Sequence, residues 1–363
     1  MKNKKIIAII VVTSVILLIF AGVFGSIVWF NNQIKPVNSE SDEYKEIEIT
    51  SGTTTTKIIA KLEEENLIRN ELAAKIFIKL NNVTNLQAGK YNLSPSMDLE
   101  QILGTMAKGN VVKDEIKITF LEGKNMRWIA KKIEAETSNK AEDVYKKLED
   151  KEYISKLIDQ YWFLTDEIKN QDIYYPLEGY LYPETYTFKN KDVTIEEIFK
   201  VLLDETDKIL TKYKSYIENK KYSIHQMFTM ASIVELEGND VESRRGIARV
   251  IFNRLSKKMS LGSDVTTYYG IKVDMGERNL YSKEINTYNP YNTRGPNMEG
   301  KLPVGPISTV SEESIKSVLE PTQNDYLYFV ADMKGKIYFS STYAEHQEII
   351  NKLKRQGLWY EYK

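Results

Sequence analysis

An α+β protein carried on one membrane-spanning helix is the fold class this sequence predicts, and three observations carry it. No charged residue occurs from Ile6 to Phe30. Short alternating segments, such as the one holding Ile47 and Ile49, sit beside segments with helical apolar spacing. Past Asn170 the texture shifts to Tyr, Pro, Gly and Asn between helical stretches. The expected order is a tail at 1–5, a transmembrane helix at 6–30, a linker at 31–45 and a small α+β domain at 46–137. A helical connector at 138–173 and a larger mixed α+β domain at 174–363 follow.

The apolar run, at 1.5 Å per residue, reaches about 37 Å as a helix, enough to cross a hydrocarbon core of about 30 Å. It also exceeds the roughly 7–15 residues of a signal-peptide core, continuing through Ile27-Val28-Trp29-Phe30, so an uncleaved anchor is expected. Lys2, Lys4 and Lys5 precede the span and Asn31-Asn32 follow it, which places the N-terminus in the cytoplasm and the remainder outside. The linker holds Pro36, Asn38, Ser39, Glu40, Ser41 and Asp42 and reads as a spacer off the bilayer.

In the small domain, Ile47 and Ile49 suggest a strand, Ser51-Gly52 a turn, and Ile58, Ile59 and Leu62 with Leu67-Ile68 an amphipathic helix. A strand through Tyr91 and Leu93 then leads to a helix with Leu99, Ile102, Leu103 and Met106 apolar. The strand-turn-helix pattern returns with Ile116 and Ile118, Glu122-Gly123 and Trp128-Ile129. The connector has helical spacing through Val144, Leu148, Ile154 and Leu157. In the large domain Ser223 can cap a helix that runs to Glu237 and stops at Gly238. Ile247, Val250-Ile251 and Leu255 mark the next helix, Tyr326–Ala331 and Lys336–Ser340 a strand pair, and "STYAEHQEIINKLK" a closing helix.

Fifty basic against 51 acidic residues leave no imbalance that would favour nucleic acid. The absence of cysteine removes disulfides, thiolate nucleophiles and Cys-based zinc sites, and two distant histidines, His225 and His346, do not make a metal centre. No cofactor or metal is expected. What remains is carboxylate acid/base chemistry, and "MASIVELEG" places Glu235 and Glu237 in an apolar run. On a helix Glu235 shares a face with Phe228, Ala231 and Ser232, and Glu237 lies over Met230, Ile233 and Val234. An acid that donates near neutral pH needs its pKa raised by about two units from about 4.3, and an apolar cleft supplies that by desolvation. The plainer alternative is that one or both cap the helix end or pair with Arg244 or Arg245. With 24 Tyr and 4 Trp the composition suits stacking on sugar rings, although packing accounts for tyrosines equally well.

Taken in order, "LEGYLYPETYTF", "ASIVELEG", "IARVIFNRLSKKMSLGSDVTTYYG", "NPYNTRGPNMEGKLPVGPIS", "YLYFVAD" and "STYAEH" resemble the endolytic murein transglycosylase, or YceG-like, family over nearly the whole chain. The resemblance implies that 46–137 is LysM-like and that 174–363 is the catalytic domain. It also implies a membrane-anchored lytic transglycosylase, a lyase that cleaves the β-1,4 bond between N-acetylmuramic acid and N-acetylglucosamine within peptidoglycan strands. The muramoyl 6-hydroxyl would close a 1,6-anhydro ring, so no second catalytic carboxylate is required.

The resemblance puts the catalytic acid/base on Glu235 and a supporting role on Glu237. Upstream and on the next helix it marks Glu178 and Asn253 as substrate-binding. Around the following loop it marks Ser263, Asp264, Thr266 and Tyr269, then Tyr291, Asn292 and Thr293 with Pro303, Gly305 and Pro306, and finally Glu345 and His346. Two departures stand out: Gly262 and Val265 replace a Gln and a Pro common in the family, and Arg294 stands where tyrosine is frequent, placed to meet a stem-peptide carboxylate. Glycan strands, the membrane and peptidoglycan synthases of the elongation or division machinery are the implied partners. The alternative function is a non-catalytic glycan-binding scaffold for synthesis enzymes.

Overall fold

The computed structural model describes residues 2–109, 115–219 and 221–359, with side chains from Thr13 onward. Lys2, Lys4 and Lys5, on which the expected orientation rests, therefore lie outside the described side chains. The chain divides into two compact units, Met1–Asp114 and Glu115–Lys363.

The first unit begins with helix α1 (Lys2–Gln33), whose Thr13–Gln33 part is apolar and long enough to cross a membrane. Strands β1 (Lys45–Ile49) and β2 (Gly89–Leu93) pair antiparallel, with Ile47 opposite Tyr91. Period-2 alternation turns Ile47, Ile49, Tyr91 and Leu93 to one side. There they meet Ile58, Ile59 and Leu62 of α2 (Thr55–Glu64), Phe77 of α3 (Glu71–Leu80) and Leu99, Ile102, Leu103 and Met106 of α4 (Leu99–Ala107). Thr54, Asn70 and Asp98 cap the three helices, each accepting a backbone N–H three residues on. The single helix expected through Leu67-Ile68 is two: Asn66 adopts φ 57°, a left-handed conformation that ends α2 and lets α3 begin afresh at Asn70.

The expected spacer is tied down. The Arg69 guanidinium donates to the carbonyls of Lys35, Pro36 and Val37. Leu99 N–H donates to Ile34 O and Asn38 N–H to Pro95 O, both at 3.0 Å. Phe30 and Ile34 pack on the unit's core.

In the second unit β3 (Ile116–Thr119) pairs antiparallel with β4 (Thr185–Phe188), Ile118 opposite Tyr186. The strand-turn-helix segment expected to complete the small domain thus belongs with residues well downstream. α5 (Met126–Glu136), α6 (Ala141–Glu149) and α7 (Lys151–Gln160), the expected connector among them, bury Ile129, Ile133, Val144, Leu148 and Leu157 in the same core as α8 (Ile195–Thr211) and the short α9 (Lys214–Glu218).

At the centre runs α10 (Ile224–Glu237), capped by Ser223 in a capping box with Gln226. Apart from Gln226 every residue from Ile224 to Glu235 is buried, as a helix apolar on all sides requires. α11 (Val241–Ser256), α12 (Asp264–Gly270) and α14 (Glu312–Leu319) pack around it, with the single-turn α13 (Ser282–Ile285) between the last two. The hairpin β5 (Tyr328–Ala331) and β6 (Ile337–Ser340) and helix α15 (Tyr343–Arg355) close the unit.

Gly238 ends α10, but in extended backbone (φ −106°) instead of a left-handed turn. Its requirement is space: a Cβ there would stand 2.5 Å from Arg244 Cγ. Glycine lets the first turn of α11 approach the end of α10 and sets Arg244 beside Glu235.

Candidate active site

The C-terminal turn of α10 forms one wall of a cleft of about 180 Å³. Leu236 lines it from α10, Val265, Tyr268 and Tyr269 from α12, and Gly123, Lys124, Asn125 and Trp128 from the start of α5; Asp274 and Met275 complete the rim. Gly123 turns with φ +66°, and its N–H and the carbonyl of Lys124 both bond Thr309, fixing this loop to the 307–311 segment. That segment is itself held to α10, where Ser232 Oγ accepts from Ile307 N–H at 3.0 Å.

Glu235 and Glu237 leave α10 on opposite flanks of Leu236. Glu235 faces inward, its side chain 4% exposed. One oxygen accepts from Arg244 Nη2 at 2.8 Å, and the other from the Ser311 N–H and hydroxyl at 2.8 and 2.6 Å. Arg244 continues to Glu313 at 2.9 Å. Of the two partners expected for a structural glutamate, Arg244 makes the pair; Arg245 donates to Glu320 O instead. Close by, burial and then the charge of Glu235 push the Glu122 carboxyl above its usual range.

Glu237 remains partly open to solvent and has a sparser shell. Ser263 Oγ–H donates to it at 2.6 Å. Burial raises its pKa above the ordinary carboxylate value; the Ser263 hydrogen bond opposes this, Asp264 adds to it and Arg294 opposes it. Arg294 is itself engaged in an ion pair with Asp264, the first residue of α12.

The YceG-like family model matches residues 47–352. The chain belongs to the YceG-like family. It is 34% identical over 325 residues to the endolytic murein transglycosylase of Bacillus subtilis, covering 89% of each chain. It is 31% identical over 347 residues to that of Streptococcus pneumoniae serotype 2, covering 91% of this chain and 62% of the relative. A crystal structure of a YceG-like protein from Listeria monocytogenes superposes with TM-score 0.60 at 38% identity, over 85% of this chain and 100% of that one.

Within this YceG-like chain the other expected site residues fall into groups. Ser263, Asp264 and Arg294 gather at Glu237. Thr266, Asn292 and Thr293 lie beneath them, buried and internally satisfied: Thr293 Oγ accepts from Ser263 N–H at 3.0 Å, and Asn292 Nδ2 donates to the carbonyls of Glu284, Ile285 and Thr287. Thr266 Oγ–H donates to Ser263 O at 2.7 Å. These three shape the loop that presents Ser263.

Glu178 is fully buried under the cleft, accepting from Met126 N–H at 3.0 Å and Tyr269 OH at 2.8 Å, so it braces α5 against α12 and does not reach a ligand. Burial pushes its pKa up to about 7. Tyr291, equally buried, meets Tyr174 in a tilted contact and Tyr269 edge-on, with ring centroids 4.8 and 4.7 Å away, and Tyr269 alone of the three lines the cleft. In the Pro303-Val304-Gly305-Pro306 segment, Gly305 packs near His225 and Pro306 under Gly179, both as backbone supports.

Asn253 donates to Asn324 O and Tyr326 O and secures a loop. Glu345 is the carboxylate of the capping box of α15, accepting from the N–H groups of Ser341 and Thr342. His346 stacks on Tyr328 at 5.3 Å, its pKa lowered by burial and then by Arg254.

Sequence reasoning missed Ser311, Trp128, Tyr268 and Glu122. Only Glu122 carried a signal, in the Glu122-Gly123 pair that read as a turn.

Proposed function

We propose that this chain is an endolytic peptidoglycan lytic transglycosylase that cleaves the bond between N-acetylmuramic acid and N-acetylglucosamine and leaves 1,6-anhydro ends, with Glu237 as its single acid/base. Membership in a family whose relatives bear the name endolytic murein transglycosylase supports the reaction class. The observation that carries the residue assignment is the contrast in carboxylate shells. Both oxygens of Glu235 are already engaged, one by Arg244 and the other by Ser311. Glu237 accepts from the Ser263 hydroxyl, has its pKa raised by burial and remains partly open to solvent. This reading differs from the one the resemblance implies, which puts the acid/base on Glu235; here Glu235 ties α10 to α11 and α14.

In the reaction, protonated Glu237 gives its proton to the glycosidic oxygen as the bond to muramoyl C1 breaks. The resulting carboxylate takes the proton of the muramoyl 6-hydroxyl while O6 bonds C1, and the enzyme returns to its starting state without consuming water. The substrate's acetamido oxygen stabilises C1 between the two events. Asp264 and Arg294 set the field around Glu237, and the Arg294 guanidinium is the group suited to a stem-peptide carboxylate.

The apolar helix α1 supports a single-pass anchor, with the N-terminus cytoplasmic by its three lysines and the two units outside. The small first unit would hold glycan in LysM fashion near synthesis enzymes. Digestion of purified glycan strands with the full chain, read by mass spectrometry, tests the reaction class. Anhydro-ended fragments are expected; reducing ends would make it a hydrolase, and bound but uncut strands a scaffold.

A further inference from the structure

Helix α3 is apolar on two sides. Ala73, Ala74 and Phe77 face the core of the first unit, as any amphipathic helix would arrange. On the outside, Leu72, Ile76 and Leu80, spaced i, i+4 and i+8, form a second apolar stripe, exposed to 59%, 36% and 68%. A soluble surface helix places polar residues there, and a helix apolar all round belongs in a core or in lipid.

The stripe adjoins α1. Ile76 and Leu80 line one open cleft of about 760 Å³ together with Val23, Ile27 and Phe30 of α1. Those α1 residues lie within the span long enough to cross a bilayer. Two side chains that share a cleft with a membrane helix meet the medium that bathes that helix. Lys79 flanks the stripe on α3, where its stem can lie along the apolar face and its ammonium group reach anionic headgroups, beside Lys75, which pairs with Glu71 on the same helix. The contact is also held in place, because Arg69, one residue before the Asn70 cap of α3, grips the carbonyls just after α1.

We infer that α3 is a second membrane contact, an interfacial helix whose Leu72-Ile76-Leu80 stripe enters the outer leaflet beside α1. The first unit is then seated on the bilayer and not suspended from it. The occupant is lipid, an anionic outer-leaflet surface, and a second copy of the chain is the competing cover.

The chain has no cysteine, so single-cysteine variants label cleanly. Full-length Leu80→Cys and Leu72→Cys, each carrying an environment-sensitive fluorophore, would be reconstituted into phosphatidylglycerol-containing vesicles with brominated acyl chains. The label at either position is expected to shift its emission to the blue, lose intensity to bromine and be shielded from aqueous iodide. The inference rests on the anchor reading, and Val23→Cys separates the two. If the Val23 label is quenched by bromine while both α3 labels answer only to iodide, α3 stays in water and this inference is overturned while the anchor stands. If the Val23 label also escapes bromine, the anchor reading fails and takes this one with it. Unlabelled Leu80→Cys chains that join by a disulfide under copper-phenanthroline oxidation, while the labelled chain escapes bromine, would assign the stripe to a dimer and overturn the lipid contact.

Discussion

Glu235 and Glu237 are each held by the N-cap serine of a neighbouring helix, Ser311 of α14 for the first and Ser263 of α12 for the second. The two ends of the pair nevertheless do opposite things. Ser311 presents both its N–H and its hydroxyl, and Arg244 completes the shell around a carboxylate that is almost wholly enclosed. Ser263 presents only its hydroxyl, its N–H being taken by Thr293, and Arg294, whose charge acts on Glu237, is paired with Asp264. On the Glu237 flank burial makes a proton easier to keep. The proposed division of the pair into a structural and a chemical glutamate rests on the donors aimed at each carboxylate.

The largest effect expected from that contrast is on rate. Glu237→Gln keeps a polar group for Ser263 yet cannot carry the proton, so kcat for release of anhydro ends should fall by roughly 10²–10⁴-fold with unfolding temperature maintained. On the other flank the effect should be on stability. Glu235→Ala leaves Arg244 and Ser311 facing a void, and chemical denaturation should show a loss of about 3–5 kcal/mol, the usual result of removing one partner of a buried ion pair.

Beneath both, Glu178 supplies a pH signature. Its pKa is about 7 in the folded protein against 4.5 ordinarily, so the folded state binds its proton more tightly. The resulting stability is fully present below pH 4.5 and is lost as pH rises through 7, roughly 3 kcal/mol in all. Glu178→Gln should remove this slope from melting curves taken between pH 5 and 8, and a slope that persists in the variant would assign it elsewhere.

The smallest effect is a shift of profile. Arg294 lowers the pKa of Glu237 and Asp264 raises it. Arg294→Gln should therefore move the alkaline limb of the rate profile to higher pH, and Asp264→Asn to lower pH. A common direction for both would mean that they act on Glu237 through structure and not through charge.

Local signals in the sequence were reliable wherever the cause was local. Ser223 caps α10, Ile47 and Ile49 point into a core, and the strand pair near residues 328–340 forms around the Gly335 turn. Readings failed where the cause lay far along the chain. The pairing of β3 with β4 joins residues some 70 positions apart, so the second strand-turn-helix segment had no visible partner. The polar stretch after α1 looked like a free spacer because Arg69, which binds it, is indistinguishable by sequence from any surface arginine. Glu345 resembled a ligand and is a capping carboxylate. The choice between Glu235 and Glu237 was open locally for the same reason: Arg244 could be suspected from its spacing, but Ser311 comes from 76 residues away.

The most direct measurement is a side-by-side assay of Glu235→Gln and Glu237→Gln, each shown to be folded by circular dichroism, on the same glycan strands with anhydro ends counted by mass spectrometry. Glu235→Gln should still form anhydro ends, and Glu237→Gln should form almost none. Activity retained by Glu237→Gln and lost by folded Glu235→Gln would contradict the account and return the proton to Glu235.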